Sequence, residues 1–159
     1  MSLPTETVKG LIEKKVAFLE RMKLQALELA PGQVKLFTPL KGNENHIGGV
    51  YAGAIFTLAE IPGGALFYTS FDETKFYPVV KEMTIHFLKP ANTDLSIEIL
   101  LSEEEIGRIT VEAEKKGKSE FILSGEIKDI DGQVVALSRG VYQIRSMETL
   151  PKVCPKTEK

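Results

Sequence analysis

The 159-residue chain has one cysteine, Cys154, two histidines and no tryptophan. One thiol cannot close an internal disulfide, and so few soft donors make a dedicated zinc site unexpected, so no metal is expected. Positive charge is not in surplus either: 20 Lys and Arg stand against 22 Asp and Glu, a formal charge of −2. Proteins that grip a phosphate backbone by charge usually carry a basic excess, which argues against nucleic acid as a partner. The phosphate-loop, GxGxxG and GxSxG patterns are missing, and Ser124-Gly125 is not a nucleophile elbow. The polar, Pro4-interrupted start has no apolar core of a signal peptide, so with the lone thiol the expected setting is reduced and cytoplasmic.

What is present is an ordinary globular balance, 43% hydrophobic and 26% charged, in a chain of one-domain length. The expected layout is a single domain over 1–159, with an N-terminal helix at 5–29, a core at 33–145 and a frayed tail at 146–159. Val8, Leu11, Ile12, Val16, Leu19 and Met22 recur at helical spacing, and Pro31-Gly32 ends that helix.

Residues 48–71 hold one charge, Glu60. Their length would suit a membrane span, but a central carboxylate is costly there, and Gly48, Gly49, Gly53, Pro62, Gly63 and Gly64 dilute the run. Strand-like segments follow that would wrap such a helix. The reading is therefore a buried core helix and no membrane partner.

The second half alternates. Met83, Ile85 and Phe87 take turns with Glu82, Thr84 and His86; Leu95, Ile97, Ile99 and Leu101 do the same. Ile109, Val111 and Ala113 extend the pattern to a further strand, with a turn at Ile106-Gly107. Phe121–Ile127 and 134–144 complete the set, with turns at Lys116-Gly117-Lys118 and Asp131-Gly132. Period-two burial needs a cover, and an all-round apolar helix needs wrapping. The fold class expected is α+β, one curved antiparallel sheet around one long helix. Leu88, Leu100, Val135, Leu137 and Val141 fall on the wet face, which suggests a partner subunit over part of it.

Glu60 stands out because a buried carboxylate without partners is strongly disfavoured. It either reaches water, forms a structural ion pair, or sits in a cleft as a base or nucleophile. Gly53 lies seven residues before it, two turns away on the same face. Glycines at a helix start let a ligand approach free N–H groups that favour developing negative charge. In one subunit the two are too far apart for one carbonyl, whereas across a two-fold dimer Glu60 could face the other chain's Gly53. Asn45 and His46 are loop residues before the helix, and Thr57 either orients Glu60 or bonds back to its own helix. Pro62-Gly63-Gly64 would kink or thin the helix.

The stretches NHIGGVYAGAIFTLAE (45–60), HFLKPANTDL (86–95) and DGQVVALSRGVYQIR (131–145), in this order and spacing, resemble the hotdog-fold thioesterases, within their phenylacetyl-CoA thioesterase-like branch and an uncharacterised relative of it. The resemblance implies a hotdog fold, dimers or tetramers, and hydrolysis of a medium-chain or aromatic acyl-CoA, with coenzyme A entering only as part of the substrate. It implies catalytic roles for Glu60, Gly53 and Asn45. The family's HGG helix start falls on Tyr51, Ala52 and Gly53, and its acidic residue, usually Asp, on Glu60. The acyl group would lie near Phe56, Thr57, Ile61 and Gly64, with Lys89, Arg139 or Arg145 towards the phosphates. Tyr51 and Ala52 depart from the family's His and Gly, and Val79 and Val80 stand where some relatives carry Ser or Thr. A non-catalytic acyl-CoA or lipid binder is the alternative; a dehydratase would need His46 as its histidine.

Overall fold

The computed structural model describes residues 2–150, so Cys154 and residues 151–159 of the expected tail lie outside the described residues, while the tail's first residues are not frayed: Ser146 ends β6 and Met147–Thr149 form a short helical turn. Six antiparallel strands form one sheet in the order β1-β2-β4-β5-β6-β3. They are β1 Gln25–Ala30, β2 Gln33–Thr38, β3 Phe76–Phe87, β4 Leu95–Leu100, β5 Lys118–Lys128 and β6 Val134–Ser146. The sheet curves around the long helix α3, Ala52–Ser70, whose Leu58, Ala65, Leu66 and Phe67 are fully buried. The architecture is the α+β hotdog arrangement. Burying this apolar surface at roughly 25 cal/mol per Å² is what holds helix and sheet together.

Three further expectations are corrected. The N-terminal helix does not run to residue 29. It comprises α1 Thr5–Gly10, a wider turn at Leu11–Lys15, a break at Val16 and α2 Ala17–Arg21. Lys23 then turns the chain in the left-handed region, φ 54°. The alternating sequence QALELA becomes β1, with Ala30 opposite Gln33 across Pro31-Gly32. Pro31-Gly32 is thus a hairpin turn rather than a helix stop. Gly32 has φ +75°, and a Cβ there would sit 2.4 Å from the Leu101 carbonyl oxygen, so only glycine suits the position.

The second correction is α4, Glu103–Lys116, which replaces the strand expected around Ile109–Ala113 and the turn at Ile106-Gly107. Ser102 caps it, accepting a hydrogen bond from the Glu105 N–H at 3.2 Å, and Gly117 closes it at φ 75°. Ile109 and Ala113, four apart, are buried and Ile106 is half-buried, while Val111 stays exposed. Three acids in the first turn and two lysines in the last complement the helix dipole, which outweighs the strand preference of Ile and Val.

The third concerns the outer face of the sheet. Leu88, Leu100 and Leu137 are exposed there and Val141 is half-buried, but Val135 is buried. Ile127 pairs with Ala136 and Lys128 with Val134, which leaves Val135 as the extra residue of a bulge. Its carbonyl accepts from the N–H groups of Leu88 and Lys89.

Candidate active site

The loop before α3 is tied down by Asn43. Its amide donates to the carbonyls of Met22 at 2.9 Å and Pro39 at 2.8 Å, and its own carbonyl accepts from the Tyr51 N–H at 2.8 Å. Val50 N–H donates to Ala91 at 2.7 Å. These bonds fix where α3 begins. No side chain caps that start, and Ala54 and Ile55 both donate to the Tyr51 carbonyl. Among the described residues, the N–H groups of Ala52 and Gly53 have no acceptor, and they form the positive end of a 19-residue helix.

The sheet leaves one side of α3 open. Ala52, Gly53, Phe56, Thr57, Glu60, Ile61 and Gly64 follow helical spacing and are exposed or half-buried, amid neighbours that are buried. Beside them lies a hollow of about 350 Å³, lined by Phe56, Thr57 and Glu60 from α3 and Val80, Lys81, Glu82 and Met83 from β3. The Glu60 carboxylate has no salt bridge and no hydrogen-bond donor among the described residues. Burial pushes its pKa above the ordinary glutamate value. Among the described residues it is locked to no cation, and it is half-buried rather than out in bulk solvent.

A larger concavity of about 790 Å³ opens on the outer face of the sheet, between β4 and β5. Its Glu98 accepts from Gln33 at 2.9 Å and its Glu126 pairs with Lys128 at 3.0 Å. Both of these glutamates therefore have a partner, whereas Glu60 has none among the described residues.

The other expected residues fall as follows. Tyr51, Ala52 and Gly53 sit together at the helix start, and the Tyr51 ring lies over Gly53, where a Cβ would come within 2.4 Å of it. Asn45 spends its carbonyl oxygen on the loop, accepting from Ile47 at 3.0 Å and Gly49 at 3.1 Å. It does not line the Glu60 hollow. Thr57 does, but its hydroxyl donates to the Gly53 carbonyl at 2.8 Å. Gly64 is half-buried with nothing within 4 Å of a Cβ built there, so the groove stays open past Glu60. His46 is exposed. Lys89 bonds Gln133 at 3.1 Å and Arg145 bonds Gln143 at 3.0 Å, while Arg139 lies 3.9 Å from Glu82. Among the described residues no cluster of three or more His, Cys, Asp or Glu could hold a metal ion. No helix among them is long and apolar enough to cross a membrane.

Sequence reasoning missed two residues. Asn43 looks like any loop asparagine, and only its bonds separate it from Asn45. Tyr142 on β6 donates its hydroxyl to the Glu60 carbonyl at 3.0 Å. Its only sequence signal was a pair of glycines, Gly63 and Gly140, which the structure places against its ring.

A family model described as a domain of unknown function, DUF4442, matches residues 5–143. A Pseudomonas aeruginosa protein of unknown function, described as a probable thioesterase, is 53% identical, covers 92% of this chain over 98% of its own, and superposes with a TM-score of 0.88. A Chlorobaculum tepidum protein of unknown function is 17% identical, with 89% of this chain and 93% of its own covered, at a TM-score of 0.78. A Haemophilus influenzae thioesterase is 11% identical, with 92% and 93% covered, at 0.71; these two share the fold. No curated protein matches the chain. The chain belongs to the DUF4442 family, a thioesterase-like branch of the hotdog fold.

Proposed function

We propose that this protein is a cytoplasmic acyl-CoA thioesterase that hydrolyses medium-chain or aromatic acyl-CoA as a homodimer or homotetramer. The observation that carries the reading is Glu60, an unpaired, half-buried carboxylate beside a hollow on the open face of the central helix. A pKa raised by burial makes its carboxylate form a stronger base. Glu60 takes a proton from water as the hydroxyl oxygen attacks the thioester carbonyl. The C–S bond then breaks, giving the free acid and, after protonation, the coenzyme A thiol. Direct attack by the carboxylate, with water releasing the acyl group afterwards, reaches the same products.

The negative oxygen that forms on the carbonyl needs donors, and the free N–H groups of Ala52 and Gly53 have that character. Within one chain they stand about 10 Å from Glu60 along the helix. The proposal therefore takes the amides from a second copy. Support comes from β3, a 12-residue edge strand with an unpaired side, from exposed Phe56 and Val80 in the lining of the hollow, and from exposed Tyr51 at the helix start. The acyl group would run along Phe56 and Thr57 towards Ile61 and Gly64. Asn45 would act by holding the loop that leads to Tyr51 and Ala52. Coenzyme A is part of the substrate, and no separate cofactor or metal is invoked.

The Tyr51 ring over Gly53 favours a second reading, a non-catalytic acyl-CoA or lipid binder, because it takes up space beside Gly53 that a substrate carbonyl would need. A free-thiol assay over acyl-CoA chain lengths and aryl groups, run beside calorimetry, separates the two. Thiol release lost in E60Q supports the hydrolase. Saturable binding without thiol release supports the binder, and E60Q at the wild-type rate removes Glu60 from the mechanism.

A further inference from the structure

Around Glu60, α3 is intrinsically weak. Pro62 has no N–H, so the Leu58 carbonyl loses its helical partner, and the pyrrolidine ring crowds that same carbonyl. Gly63 and Gly64 follow, both poor helix formers. Three consecutive residues that favour departure from the helix thus lie just past the carboxylate, yet α3 continues unbroken to Ser70.

Tyr142 holds this segment from the sheet side. It is 4% exposed, and its hydroxyl donates to the carbonyl of Glu60 itself at 3.0 Å. The ring sits in a notch cut by two glycines: a Cβ on Gly63 would lie 2.0 Å from a ring carbon, and one on Gly140 would lie 2.4 Å away. Neither glycine has positive φ, so close approach rather than backbone freedom accounts for both. The ring stacks on Phe121 at 5.9 Å and 23°, and Phe121 lies 6.1 Å from Phe71. The peg is therefore stiff, anchored on β5, β6 and the end of α3. A phenylalanine would fill the same volume without the bond. Burial and the nearby Glu60 charge keep the hydroxyl protonated, so it acts only as a donor here.

We propose that Tyr142 is a positioning residue for Glu60: its hydroxyl and the Gly63–Gly140 notch hold the helix backbone at the proline so that the carboxylate stays in the hollow. This rests on the reading of Glu60 as the reacting carboxylate. The other charges facing Glu60 are Lys81 and Glu82 on β3; Lys81 bonds Glu120 at 3.2 Å and Glu82 lies 3.9 Å from Arg139. Helix α3 itself carries no further charge. Displacing the reacting group by a fraction of an ångström costs turnover more than binding.

The test compares Y142F with wild type and E60Q in the full-length protein. Turnover is measured first with octanoyl-CoA, and Glu60 is titrated by carboxyl carbon NMR without substrate. In Y142F, kcat falls about tenfold with KM within about twofold. The Glu60 midpoint moves down towards the ordinary value as the loosened segment admits water. In an E60Q background, Y142F causes no further loss of rate. A Y142F protein that is less heat-stable but keeps both the wild-type kcat and the wild-type Glu60 midpoint would overturn the proposal. E60Q at the wild-type rate would instead count against the reading of Glu60, and the NMR midpoint would still decide whether Tyr142 positions it.

Discussion

Helix α4 carries five glutamates and α3 carries one, and the two helices treat them in opposite ways. On α4, Arg108 bridges Glu105 at 2.8 Å and Glu112 at 3.2 Å, and Lys116 reaches Glu112 at 2.8 Å. Lys75 from outside the helix pairs with Glu114 at 2.9 Å. These partners, bonding directly to the carboxylates, hold Glu105 and Glu112 below the ordinary glutamate range. On α3 the single carboxylate has neither cation nor donor among the described residues, and burial moves it the other way. On the first helix three of the five acids are held by exposed cations. The second is held by wrapping, and its one acid is left unmatched. A fold can tolerate such an acid where the surrounding core is large, and that unspent demand for a proton is what chemistry can use.

The comparison breaks most sharply at Glu60. E60Q should lower the rate of thiol release by about a thousandfold, a general-base magnitude, with circular dichroism unchanged. Removing a carboxylate on α4 by E112Q should leave the rate at wild type. Equal losses from the two would erase the distinction between the helices.

Packing against α3 comes next. Gly63→Ala puts a methyl group into the Tyr142 ring and should destabilise the fold by about 2 kcal/mol, read from the denaturant midpoint. The comparable change on α4, Gly107→Ala, meets nothing within 4 Å and should be neutral or stabilising. If the two alanines behaved alike, the tight seat beneath Glu60 would be wrong.

A smaller effect is expected at the α4 cap. Ser102→Ala removes the bond to the Glu105 N–H and should cost about 1 kcal/mol in chemical denaturation, with turnover untouched.

The smallest effect concerns pH and heat. Because the folded-state pKa of Glu60 is raised, the native protein holds that proton more tightly than the unfolded chain. Stability is therefore lost as pH rises from the ordinary value of 4.5 through the raised one. E60Q should melt about 2 °C higher than wild type at pH 7, and the gap should close below pH 4. For Glu105 and Glu112 the sign is reversed: their contribution is present above the ordinary value and fades as pH falls.

Much of this molecule is legible in one dimension. The strands of the second half announce themselves by alternation, and α3 by an apolar run with a single charge. Both are local patterns that burial on one face or all round imposes directly. Glu60 was visible for the same reason, since a lone carboxylate in such a run has to be explained. The sequence reading of 5–29 and 103–116 went astray where two periods compete. QALELA and EIGRITVEA fit either template over short windows, and the choice was made by a hairpin turn in one case and a serine cap with paired charges in the other.

The amino-acid pattern alone determined the layer architecture, the central helix and the identity of its unusual acid, because each depends on residues that are neighbours in sequence. Only the tertiary structure decided that Glu60 has no partner among the described residues, that Asn43 as well as Asn45 fastens the chain before the helix, and that Tyr142 braces the backbone from 82 residues away. Those facts are contacts between distant segments, and no periodicity along the chain encodes which side chain meets which.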